Sequence, residues 1–408
     1  MSCHGPVLSC KIGRNQEFSL SPFVVLFVEN FLCNCAFNSS SLLPPYLVSL
    51  GASQTFVGFY NTLGTLLIVL VVVFFGRRLV KLPRVKLLRW GFLLLVATSL
   101  LSWVFADSLP LLALFKLVGS LAQVFASTLM LSLLFDLIPA EQRAGSLALF
   151  SVAGMLTNPV SSLSGEAILR VVGGRGLFLL GAGFALASWL WFLLFKESPT
   201  GSETGAPPSF KEVAARRELR PLFVLAFTFG IYYSALTSFL PHHTKLTLGE
   251  ANLSAFLIPF SAVSVVMRLV LGRQLDQRPP RRFLYWSFLS IFLSLDLLLL
   301  PDTWTWVILA GFFYGIGHSI LYPLMNAMFV EAGGAGRNAT YSNAYLVANQ
   351  LGAVLMTPLL GTVGDLGGFF SIIVVLALTA LGCFLLARKY FPRPPRQPEA
   401  DPPSVRSS

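Results

Sequence analysis

Charged residues are scarce in this chain: they make up 12% of its 408 residues, against 55% hydrophobic ones. Soluble domains carry roughly 25% charged residues, so most of this protein's surface must face lipid. Acids are scarcer than bases, 18 against 29, for a formal net charge of +11. The bases sit in short clusters between apolar runs and make no continuous basic face, which argues against nucleic acid as a partner. The five cysteines (Cys3, Cys10, Cys33, Cys35 and Cys383) are scattered and give neither a disulfide framework nor a metal-ligand spacing. Cys33 and Cys35, two apart, point to different faces of a helix and read as small packing residues. No G-x-x-x-x-G-K-[ST], H-E-x-x-H or G-x-S-x-G occurs, and the four histidines do not cluster as ligands. ATP-driven pumping and intramembrane enzyme chemistry therefore lack their residues, and no cofactor or metal is expected. The polar first twenty residues carry no cleavable signal, so the apolar segment near Pro22 is expected to stay as an anchor.

Long apolar runs fill the rest, and mean hydropathy is +0.73. A hydrocarbon core of about 30 Å takes about 20 apolar residues as a helix. On that basis twelve spans are predicted: 22–44, 54–76, 87–106, 110–137, 145–169 and 176–195, then 221–241, 251–272, 283–301, 304–331, 338–362 and 369–391. Spans are numbered 1 to 12 in this order. The expected organisation is a cytoplasmic segment over 1–21, a six-helix bundle over 22–195, a central cytoplasmic loop over 196–220, a second bundle over 221–391 and a disordered cytoplasmic tail over 392–408. The end of the central loop, Phe210 to Leu219, reads as a short amphipathic helix.

Two basic runs sit at matching places in the halves: Gly76-Arg77-Arg78-Leu79 with Lys81, Arg84 and Lys86 after span 2, and Gly272 to Arg282 after span 8. The two glycines are 196 residues apart, the period of a duplicated bundle. Lys and Arg concentrate at the N-terminus, after even-numbered spans and in the tail, while the opposite loops hold only Arg170, Arg175 and Lys245. Positive charge stays inside, so both termini are expected in the cytoplasm and the chain in the plasma (cell inner) membrane.

Six plus six helices, a central loop and a basic glycine motif after spans 2 and 8 resemble the major facilitator superfamily, whose motif runs close to G-x-L-x-D-R-x-G-R-R. The second copy keeps Gly272, Asp276, Arg278, Arg281 and Arg282, with Pro280 at its second glycine. The first keeps Gly76, Arg77 and Arg84, with Val80 at the acidic position and Pro83 at the glycine. The resemblance implies an all-α integral membrane protein of twelve transmembrane helices in two pseudo-symmetric six-helix bundles. It also implies a latch between the halves at the cytoplasmic gate, weakened here by the missing acid. Arg268, four residues before Gly272, fits a common position near that gate, as an ion pair or a substrate contact. Pro44-Pro45-Tyr46-Leu47, Lys116-x-x-Gly119 and Asp136 to Arg143 resemble further family segments. Gly154-x-x-x-Asn158-Pro159 in span 5 resembles the family's exporter motif, with Asn158 in place of a glycine.

Polar groups inside a span must face a cavity or a partner. Asn30, Asn34 and Asn38 recur every four residues and form one stripe of span 1, with Glu29 on its shoulder. They are read as lining a central cavity or as interhelical hydrogen bonds. Glu29 is the candidate for proton coupling, at a position resembling the embedded acid of drug/proton antiporters, where a cationic substrate could compete. A structural pair with Lys116 or an interhelical hydrogen bond is the alternative. Lys116 opens a face of span 4 with Ser120, Gln123 and Ser127, and would hold an anionic group or neutralise Glu29. Tyr314, His318, Tyr322 and Asn326 share a face of span 10; Tyr233 in span 7 and Asn349 in span 11 complete the substrate-cavity candidates. Glu166 and Arg170, four apart, are expected to pair with each other, and His242-His243 to be solvated. Asp296 and Asp365 read as bland.

The expected function is secondary active transport of a small organic solute by alternating access, as proton-coupled efflux. The alternatives are an importer or facilitator of a sugar, amino acid or organic anion, and a transporter-like receptor that does not transport. The expected partners are a small-molecule substrate, protons and the lipid bilayer, for a monomeric protein with no catalytic residues.

Overall fold

The computed structural model describes residues 21–79, 83–130, 133–134, 143–195, 213, 216–277, 282–300, 302–333 and 338–390. The expected tail, nearly all of the N-terminal segment and most of the central loop lie outside the described residues, as do Arg278 and Arg281. The predicted amphipathic helix falls largely there too; at its end Arg217–Leu219 form a 3-10 turn.

Every described element is helical. Span 1 runs Pro22–Asn38, continues as a 3-10 turn over Ser39–Leu42 and closes with a short helix, Pro44–Ser49. Spans 2 to 6 are Gln54–Leu79, Arg84–Val104, Leu109–Phe125 with a π-turn over Ala126–Met130, Arg143–Val171 and Gly176–Phe192. Spans 7 to 10 are Arg220–Leu248, Ser254–Gln277, Arg282–Leu297 and Trp304–Gly333. The last helical stretch, Asn338–Tyr390, is 53 residues long. At 1.5 Å per residue that is about 80 Å, more than twice a bilayer core. It breaks at Gly368, whose φ of 69° no β-carbon residue adopts cheaply, and Ile372 packs back beside Gly364. Spans 11 and 12 are therefore 338–367 and 368–390, and the twelve predicted spans are all present.

Local chemistry explains several boundaries. Proline opens spans 1, 4 and 7, where its missing N–H costs nothing. Span 7 ends at Gly249, left-handed with φ 83°. Prolines inside spans 5, 7, 8, 10 and 11 (Pro159, Pro241, Pro259, Pro323, Pro358) persist because neighbouring helices compensate the lost bond.

Span 1 packs on spans 5 and 6, and span 3 on spans 4 and 6; in the second half span 10 packs on spans 8 and 9. The halves meet along span 2 against span 11 and span 5 against span 8. Close approach at the first seam needs glycine: a Cβ on Gly58 would meet the Thr357 carbonyl oxygen at 2.7 Å. The second half is centred on buried aromatics, among them Tyr232, Phe256, Phe288, Tyr314 and Tyr345. Large apolar side chains such as Phe74, Trp90, Val270 and Leu378 point outward instead, as lipid-facing positions require. Below, the distal face means the end of the bundle where odd-numbered spans finish.

Candidate functional site

A cavity of about 370 Å³ lies between the two halves. From the first half Asn38, Asn61, Lys116, Gln123 and Asn158 line it; from the second, Phe229, Tyr233, His318, Tyr322 and Asn349. Residues from both halves also bond to each other across it. Asn38 Nδ2 donates to Thr157 Oγ1 at 3.1 Å and to Asn158 Oδ1 at 3.2 Å, and the Tyr233 hydroxyl donates to the same Asn158 oxygen at 3.2 Å. Asn61 Nδ2 donates to Ser238 Oγ at 3.0 Å. Lys116 Nζ donates to Ser40 Oγ at 3.0 Å and lies 5.7 Å from the centre of the Tyr60 ring.

Most of the predicted cavity residues are thus brought together: Asn38, Lys116, Gln123, Tyr233, His318, Tyr322 and Asn349. Four others are placed elsewhere. Glu29 is fully buried against span 6 and accepts a hydrogen bond from the Ser188 hydroxyl. It neither lines the cavity nor pairs with Lys116, so a cationic substrate in the cavity does not meet its charge. Asn30 Nδ2 donates to the Phe150 carbonyl at 2.9 Å, and Asn34 Nδ2 donates back to Asn30 Oδ1 at 2.9 Å. The upper part of the asparagine stripe therefore ties span 1 to span 5, and only its Asn38 end reaches the cavity. Tyr314 is buried behind the wall, its ring 5.5 Å from those of Phe256 and Phe260.

The structure also identifies residues that sequence reasoning did not place in the site. Asn61 carries the same signal as the others, an amide in an apolar span. In sequence Asn158 stands out only as a departure from the exporter motif; in the structure it is the acceptor that joins the halves. Gly154 and Pro159 stand in span 5 beside it, with Gly154 facing Asn30. Of the gate motif, Gly76, Arg77, Gly272, Asp276 and Arg282 fall at helix ends whose side chains are outside the description. Arg84 is buried at the start of span 3, and Arg268 is half-buried in span 8.

At the distal face the halves are clasped by carboxylates. The Ser254 backbone N–H and hydroxyl donate to Glu166 Oε1 and Oε2, both at 2.8 Å, and Ser162 adds a bond at 3.0 Å. Arg170 pairs with Glu250 at 2.7 Å. The expected Glu166–Arg170 pair is therefore wrong: each reaches across to the other half. Asp365 accepts from the Gln54 N–H at 2.6 Å, the Thr55 N–H at 3.1 Å and the Thr55 hydroxyl at 2.6 Å. His243 is not simply solvated: it contacts Asp302 at 2.8 Å and stacks on Phe369, centroids 4.1 Å apart. Asp296 is exposed, as its reading allowed.

Comparison with known proteins agrees with this architecture. The model of the Major Facilitator Superfamily matches residues 25–345 and 296–407. The chain is 27% identical over 325 residues to the chloramphenicol resistance protein of Streptomyces lividans, covering 72% of this chain and 78% of that one. It is 28% identical over 269 residues to a Thermus thermophilus protein named probable nitrate/nitrite antiporter NarK1, covering 57% of this chain and 56% of the relative. A crystal structure of the nucleoside transporter NupG superposes with a TM-score of 0.75 at 13% identity, covering 91% of this chain and all of that one. With twelve spans in two halves around a polar cavity, and a family match over nearly its whole length, the chain belongs to the Major Facilitator Superfamily and is a membrane transporter, not an enzyme.

Proposed function

We propose that this transporter exports a small organic solute by alternating access, driven by protons, from a plasma (cell inner) membrane in which both termini are cytoplasmic. The observation that carries the reading is a polar cavity lined by both halves, with cross-half contacts closing it at one end. Rocking of the halves about such a site exposes it to each side in turn, and any ligand that binds one state better shifts the balance. Loop charge supports the orientation: the distal face, poor in Lys and Arg, is then outside, and the structure is closed on that side. The export direction draws on the relative named for chloramphenicol resistance. For proton coupling the supporting feature is Glu29, a carboxyl buried mid-span with one oxygen bonded to Ser188 and the other without a partner. A proton gained or lost there alters the contact of span 1 with span 6, so its effect on the site travels through helix position and not through substrate contact.

The test is flux in proteoliposomes with an imposed pH gradient, using solutes found to stabilise the purified protein. Solute is expected to move opposite to protons, and Glu29→Gln, which keeps an acceptor for Ser188, is expected to uncouple the two. Flux that ignores the gradient and is unchanged in Glu29→Gln would overturn proton coupling through this residue. Binding without flux would favour a receptor.

A further inference from the structure

The central cavity is electrostatically one-sided. Among the described residues that line it are one lysine and one histidine, and no carboxylate. Glu29, the buried acid of span 1, faces span 6 instead. Charges inside membrane spans are costly and are normally paired. Lys116 has three donors, and the protein meets it with one hydroxyl, Ser40, and the face of one ring, Tyr60. Neither carries a negative charge. The opposite wall has a different chemistry: His318 lies near-parallel to Tyr322, centroids 6.1 Å apart, and Tyr233 and Phe229 flank it at 6.1 and 5.1 Å.

We propose that the cavity takes an organic anion with a flat ring, an arylcarboxylate, whose carboxylate supplies the missing counter-charge at Lys116 while its ring lies against the His318–Tyr322 wall. The inference rests on reading this cavity as the transport site, and it names the ligand class that reading leaves open. The chemistry is complementary at both ends: a charge-assisted bond from the ammonium and aromatic contact across the gap. A cavity of about 370 Å³ is within the usual range for small ligands, roughly 300–1,000 Å³. Because Lys116 belongs to the first half and the aromatic wall to the second, one such ligand touches both halves at once. A cationic solute would meet Lys116 without any lining carboxylate among the described residues to offset the repulsion.

The experiment is equilibrium binding by calorimetry and thermal shift on the purified full chain in lipid nanodiscs. The probes are 2-naphthoate, its neutral amide and the corresponding naphthylmethylamine, which share a ring and differ in charge, with acetate as the anion lacking a ring. Naphthoate is expected to bind at least tenfold more tightly than the amide, the amine or acetate. Lys116→Gln is expected to weaken naphthoate at least tenfold while Lys116→Arg retains most of the affinity. Tyr322→Leu, an independent variant on the other wall, is expected to narrow the difference between naphthoate and acetate. Amine or amide binding as tightly as naphthoate, unchanged naphthoate binding in Lys116→Gln, or no saturable binding of naphthoate would each overturn the inference. An arylcarboxylate that binds but is not carried leaves it standing and overturns transport. Carriage of neutral or cationic solutes without arylcarboxylate binding does the reverse.

Discussion

Asn158 shows how one side chain can join two halves of a transporter. Its oxygen accepts from Asn38 in its own half and from Tyr233 in the other. The glycine found at the corresponding place in the exporter motif has no side chain to do this. Replacing Asn158 with alanine removes one acceptor from two donors. A hydrogen bond contributes about 0.5–1.5 kcal/mol net, and cavity water can take over part of the role. Asn158→Ala is therefore expected to lower thermal stability by about 1 kcal/mol, a small downward shift in a melting curve. It is also expected to weaken the link between the halves, read as faster solute counterflow. Ser188 is the contrasting case, since Glu29 has no cavity water to turn to. Ser188→Ala leaves a buried carboxyl oxygen without its donor, and a loss of about 1–3 kcal/mol in unfolding free energy is expected.

At the scale of helices, the distal closure uses the same device twice. The start of span 2 has a local cap, Ser53 Oγ accepting from the Phe56 N–H at 3.1 Å, and a carboxylate from the other half, Asp365. The start of span 8 has Asn252 accepting from the Ala255 N–H at 3.0 Å, and Glu166 from the other half. Spans 2 and 8 correspond in the repeat, as do spans 5 and 11, so the two clasps are pseudo-symmetric. Helix N-termini leave N–H groups unpaired and favour negative charge, which is why a carboxylate from across the seam holds them. A capping acid is worth about 1 kcal/mol, and exposed Asp365 sits at the weak end. Glu166→Gln is expected to shift the equilibrium toward the distally open form several-fold, measured as increased maleimide labelling of a cysteine placed at Gln54, which holds Asp365 only through its backbone N–H.

For the whole molecule, alternating access requires the seam of spans 2 and 11 to separate distally and to re-form in register. Two glycines, one on each span, make the closed approach possible. A Cβ on Gly361 would meet the Gln54 carbonyl oxygen at 2.5 Å, mirroring Gly58 against Thr357. The contacts are with backbone, which cannot rotate aside. Gly361→Val is expected to wedge the distal face open, raising labelling of the Gln54 cysteine above that of the otherwise unchanged protein while abolishing net transport. Full transport with Gly361→Val would mean that this closure is not a step of the cycle.

The twelve spans, the duplication and the polar lining of the interior were legible in the residues alone, because a bilayer imposes a length and an apolar composition that no packing detail can alter. Seven cavity positions were legible for the same reason: an amide, a lysine or a tyrosine cannot be left facing lipid. Partners were not legible. Spacing put Glu29 beside the asparagine stripe, yet one residue turns a helix by about 100°, and that rotation delivers Glu29 to Ser188 and span 6 while Asn38 reaches the cavity. Spacing likewise made Glu166 and Arg170 neighbours on one helix, and each found a better partner on the facing half. Asp365 gave no signal at all, since an acid in a glycine-rich turn looks solvated until the start of span 2 is brought beneath it. The sequence by itself determined which side chains had to be satisfied away from lipid; only the tertiary structure decided by what, because helix rotation and the approach of the two halves are set by packing between segments far apart in the chain.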